Sequence, residues 1–78
     1  MSKDYYRKKL IDLRAAIARE REAKKRDNAY YAQLIKKASP SSKATYRKSK
    51  IDRAASHDRS IANLKRQVEY NRAAMRRA

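Results

Sequence analysis

A single proline stands at position 40 of 78, and the chain contains no glycine at all. Proline has no N–H to donate and its ring pushes the residue before it out of the helical region. The stretch around it, KASPSSK at Lys37–Lys43, gathers serines, which favour caps and turns over helix interiors. Both flanks are built from strong helix formers, with 14 Ala, 12 Arg and 11 Lys, and no second breaker interrupts either side. The chain therefore reads as two long helices with one interruption: helix 1 at about 3–38, a Ser/Pro loop at 39–42 and helix 2 at about 42–77. Each would be about 50 Å long. Ser2 or Asp4 can cap the first helix, and Ser41 or Ser42 the second.

Apolar spacing supports helices over strands. Tyr6, Leu10, Leu13, Ile17, Tyr31 and Ile35 form one stripe, and Tyr46, Ala54, Ile61, Leu64, Val68 and Met75 form another, both at the three-four spacing of an amphipathic helix. A short connection favours folding back antiparallel. Folding about Pro40 sets Tyr6 near Met75, Leu13 near Val68 and Ile17 near Leu64. The fold class expected is all-α: an antiparallel two-helix hairpin, coiled-coil-like, completed by self-association. That completion is expected because the stripe has a weak middle. At the same helical angle lie Arg21, Lys24 and Asn28, facing His57, Ala54 and Lys50. The loop half of the hairpin is then loosely packed, or finished by another chain or a bound partner. A core this small barely offsets the cost of ordering two long helices.

The halves resemble one another. SKDYYRKKLID, starting at Ser2, returns as SKATYRKSKID at Ser42. At an offset of forty, 13 of 38 aligned pairs are identical, against about four expected from so biased a composition. This reads as an internal duplication of one helix. The matches concentrate away from the seam: Lys8, Asp12, Ala15, Arg19, Arg26 and Tyr30 share one narrow stripe, and Lys48, Asp52, Ala55, Arg59, Arg66 and Tyr70 repeat it.

Charge sets the expected partner. With 23 Lys plus Arg against 8 Asp plus Glu, the net charge is +15, which draws polyanions. Basic residues spaced along a helix suit a phosphate backbone, whose contacts require reach, charge and donors. The residues expected to bind nucleic acid, DNA or RNA, are Arg7, Lys8, Arg19, Lys25, Arg26, Tyr30, Arg47, Lys48, Arg59, Lys65, Arg66 and Tyr70. Tyr30 and Tyr70 are outward and flanked by charge, so they can stack on bases or donate to phosphate. Tyr6, Tyr31 and Tyr46 sit at seam angles and read as core.

Other chemistry finds no footing. No cysteine means no disulfide and no thiolate metal site, and no glycine means no phosphate-cradling loop. No catalytic residue, metal site, cofactor or small-molecule substrate is expected. His57, the sole histidine, reads as a polar spacer between the helices. Glu20 and Glu22, beside Arg19 and Arg21, read as local ion pairs. The longest uninterrupted apolar run is Ala15–Ala18, far too short for a membrane span or the core of a signal peptide. A membrane-surface helix is disfavoured by the absence of phenylalanine and tryptophan. A cytoplasmic protein follows as the expectation, associated with a nucleoid or packed within a virion. The leading function is a small architectural or packaging protein coating nucleic acid non-specifically. The alternative is a structural module that assembles with itself, as a dimer or higher assembly, or with an acidic protein.

Overall fold

The structure, a computed structural model, describes residues 2–78 and contains two α-helices, α1 (Lys3–Lys37) and α2 (Pro40–Arg77), packed against each other as a hairpin. It measures 58 × 14 × 11 Å, a rod two helices wide. Only Ala38 and Ser39 separate the helices. The second helix begins two residues earlier than the proline rule suggested, because Pro40 occupies its first turn. There the missing N–H costs nothing and the fixed φ is already helical. Ser39, not Ser41 or Ser42, is the N-cap residue: its carbonyl accepts the first intrahelical bond from the Lys43 N–H at 2.9 Å. Its side chain caps no backbone donor, and its hydroxyl instead lies 3.4 Å from Ser41 Oγ and 3.2 Å from Ser42 Oγ. At the other start, Ser2 caps as expected, accepting from the Tyr5 N–H at 3.4 Å.

All twelve residues of the two apolar stripes are buried or half-buried. The buried ones cluster at the open end of the hairpin: Leu10, Leu13 and Ile17 from α1, and Ile61 and Val68 from α2, with Leu64 and Met75 packed against them. Ala74 and Asn71 are also buried there. Asn71 satisfies its amide by donating to the Gln67 carbonyl one turn back, at 2.7 Å, which lets a polar side chain sit in the seam without an orphaned donor. Between positions 18 and 60 no described residue is buried; Tyr31, Ile35 and Tyr46 are half-covered. The weak middle and loop half anticipated from the sequence are present as a difference in packing along the rod.

Candidate nucleic-acid interface

What replaces apolar packing in the middle is a set of polar ties between the helices. His57 on α2 sits between two carboxylates of α1. Its Nδ1–H donates to Glu20 Oε1 at 2.5 Å and its Nε2–H donates to Asp27 Oδ2 at 2.6 Å. Ionised carboxylates only accept, so both contacts are hydrogen bonds at once when both ring nitrogens carry protons, and the arrangement favours the imidazolium. The hydrogen bond to Asp27, followed by that to Glu20, raises the His57 pKa above its ordinary 6.5. The bond from His57, reinforced by the Arg53 guanidinium at 3.3 Å, holds the Asp27 carboxyl below its ordinary 3.8 against the opposing effect of partial burial. Lys24 adds a tie to Asp58 at 2.8 Å. Glu20 thus pairs across the hairpin and Glu22 meets no base among the described residues, so neither makes the local pair expected with Arg19 or Arg21. The i,i+4 pairing open to Lys8 and Asp12 is not formed; the local pairs are Arg7–Asp4 at 2.8 Å and Arg72–Glu69 at 3.2 Å, both at i,i+3.

These pairs consume few cations. Among the described residues Arg7, Lys24, Arg53 and Arg72 are the lysines and arginines that meet a carboxylate. The remaining 19 of the 23 meet none of the described carboxylates, and all of them but the half-buried Lys43 and Lys50 are exposed. All twelve residues expected to bind nucleic acid are exposed, and eleven have no acid partner, Arg7 being the exception.

The twelve do not form one patch. Each repeated polar stripe lies opposite its own seam, and the two seams face each other. Lys8, Arg19 and Arg26 therefore run along one outer edge of the rod, while Lys48, Arg59 and Arg66 run along the other. Arg19 and Arg26 flank a shallow depression with Glu22 on the α1 edge. Tyr70 lies with Tyr6 and Arg77 near the open end, and Tyr30 packs edge-on against Tyr31 at 5.3 Å.

Arg7, Arg47 and Lys65 are placed differently. They line grooves where the two helices meet. One groove is walled by Arg7, Ile11 and Arg14 of α1 and by Arg72 and Met75 of α2, over Leu10. The next, toward the middle, has Arg14 and Arg21 facing Lys65 and Glu69 over Ile17 and Val68. A third, in the loop half, sets Arg47, Lys50 and Ile51 against Asn28, Ala32 and Ile35. Sequence reasoning passed over Arg14 and Arg72, and read Arg21 and Lys50 as positions of the weak seam and not as binding residues. The signal for them was available: basic residues just to one side of the apolar stripe, on the same rotational side of both helices.

Among the described residues no group of acids and histidine has the arrangement to hold a metal ion, and no helix is long and apolar enough to cross a membrane. Compared with protein-family models, with curated proteins and with solved structures, the chain matches none.

Proposed function

We propose that this protein binds nucleic acid without sequence preference, through the phosphate backbone, in an architectural or packaging role and without catalysing a reaction. The observation that carries this reading is the surplus of exposed, unpaired lysine and arginine along a rod 58 Å long. A rod of that length spans several phosphates of a duplex, and each phosphate neutralised releases counterions. Titration of generic duplex DNA by fluorescence anisotropy over a range of salt tests it. A log–log slope of about −4 or steeper is expected if five or more phosphates are engaged. Absence of binding at low salt, or a slope near zero, removes the proposal.

The second reading, a structural module completed by another copy or by an acidic protein, draws support from the thin core. Five large apolar residues, Tyr5, Ile11, Tyr30, Ile51 and Tyr70, remain exposed, and a partner covering them would add the apolar burial that the thin core lacks. On this reading the cations serve an assembly, and nucleic-acid affinity is incidental.

A further inference from the structure

Four of the five exposed large apolar residues are pairs related by the forty-residue offset. Ile11 is 65% exposed and Ile51 68%, while Tyr30 is 60% exposed and Tyr70 69%. The groove linings repeat in the same way. Adding forty to Arg7, Leu10, Ile11 and Arg14 gives Arg47, Lys50, Ile51 and Ala54; subtracting forty from Arg72 and Met75 gives Ala32 and Ile35. Those six are all in the lining of the loop-half groove. The hairpin thus carries two corresponding grooves, one toward each end, each with an arginine and an exposed isoleucine on one helix and an apolar residue on the other.

Both grooves open on one face. At about 100° per residue, Arg7, Arg14 and Arg21 fall on one side of the Leu10–Leu13–Ile17 stripe, and Arg47, Lys65 and Arg72 fall on the same rotational side of the α2 stripe. In an antiparallel pair, equal rotational sides share a face. The cross-ties Lys24–Asp58, Arg53–Asp27, His57–Glu20 and His57–Asp27 show that residues whose numbers total about 81 lie at the same height. Ile51 is therefore about 28 Å along the rod from Ile11, and Arg47 about 40 Å from Arg7. The relation is an approximate two-fold axis of position, running through the face perpendicular to the rod; Arg7/Arg47 and Ile11/Ile51 keep their identity under it, while Leu10/Lys50, Arg14/Ala54 and Arg72/Ala32 do not. The charge on that face is nearly all positive: its acids are Asp58 and Glu69, both already paired, while Glu20 and Asp27 are drawn into the His57 cluster.

Resting on the proposed nucleic-acid function, we infer that this groove face, and not the outer edges, is where the protein docks, and that its ligand is duplex DNA. The chemistry is specific on three counts. A duplex backbone has two-fold axes perpendicular to its length whatever its sequence, and a two-fold protein face matches them as dimeric readers match palindromes; a single strand has no such axis. The grooves are about 28 Å apart at their isoleucines and about 40 Å apart at their arginines, a range that includes the 34–36 Å turn of B-DNA, so side chains of both can reach backbone about one turn apart. The isoleucine of each groove sits among apolar neighbours and suits the deoxyribose edge, whereas A-form RNA displays 2′-hydroxyls there. The arginines supply the phosphate contacts.

The test uses two variants of equal charge. One carries R7A, R14A, R47A and K50A in the grooves; the other carries K8A, R26A, K48A and R66A on the outer edges. Alanine keeps helix propensity high, and circular dichroism confirms that both remain helical. Affinity is measured against a duplex DNA spanning three turns, its single strand and the matching duplex RNA. The groove variant should flatten the salt slope for duplex DNA by about 2–4, and the edge variant by less than about 1. I11A and I51A should each weaken duplex binding several-fold by similar factors and leave the slope unchanged. Single-strand or RNA affinity equal to that for duplex DNA, or a slope lost in the edge variant, overturns the inference while leaving general nucleic-acid binding in place. Failure of the unmodified protein to bind any of the three ligands overturns both. A dimer abolished by I11A or I51A would reassign the grooves to contacts between copies.

Discussion

His57 shows how one residue can hold two helices where their hydrophobic seam fails. Its two ring nitrogens reach Glu20 and Asp27, seven residues apart on α1 and so two turns apart on one side of that helix. The sign of its pH dependence follows. The folded His57 pKa lies above 6.5, so its contribution is complete below that value and is lost as pH rises through the folded pKa. The folded Asp27 pKa lies below 3.8, so its contribution is present above that value and is lost as pH falls through the folded pKa. The cluster therefore stabilises most between about pH 4 and 6.5. The melting temperature should fall as pH rises above 6.5, and H57A should flatten that part of the profile. An NMR titration placing the His57 pKa at or below 6.5 would contradict the cluster as described.

At the scale of the helix, the two halves of the seam differ in what they contribute. The open half buries Leu10, Leu13, Ile17, Ile61 and Val68; the loop half has half-covered side chains and charged ties. Deleting a buried leucine removes its transfer energy and leaves a cavity. L13A should cost about 2–4 kcal/mol in urea unfolding. I35A, at a half-covered position near the loop, should cost less than half of that. Equal losses would mean that the seam is uniform. The Lys24–Asp58 tie should add little, since Asp58 is 57% exposed in its side chain, and exposed pairs contribute about 0.2–1 kcal/mol.

For the whole molecule, charge and shape pull in different directions. A net charge of +15 opposes both compaction and association between copies, while exposed Ile11, Ile51, Tyr30 and Tyr70 favour being covered. Screening shortens the reach of the repulsion to about 3 Å at 1 M salt. Sedimentation at that ionic strength separates the two readings of function: the nucleic-acid reading expects a monomer or a weak, concentration-dependent association, and the module reading expects a defined oligomer.

Much of this fold was legible before any coordinates. One proline and no glycine dictate two long helices, and the three-four spacing of Leu10, Leu13, Ile17, Ile61, Leu64 and Val68 dictates which sides meet, because both are local properties of the chain. The sequence also located the weak middle and set the charge. Which acid would meet which base was not local. Glu20 stands next to Arg19 and Arg21, yet it pairs with His57, 37 residues away, because the fold brings that ring between two carboxylates. The candidate site shows the same division. The likeness of the halves at an offset of forty was visible as letters, but the polar stripes that carry it end up on opposite edges of the rod. Arg14 and Arg72, which the sequence did not single out, are brought into one groove across the seam. Only packing two helices side by side decides which residues share a face, since that depends on the height and rotation of one helix against the other.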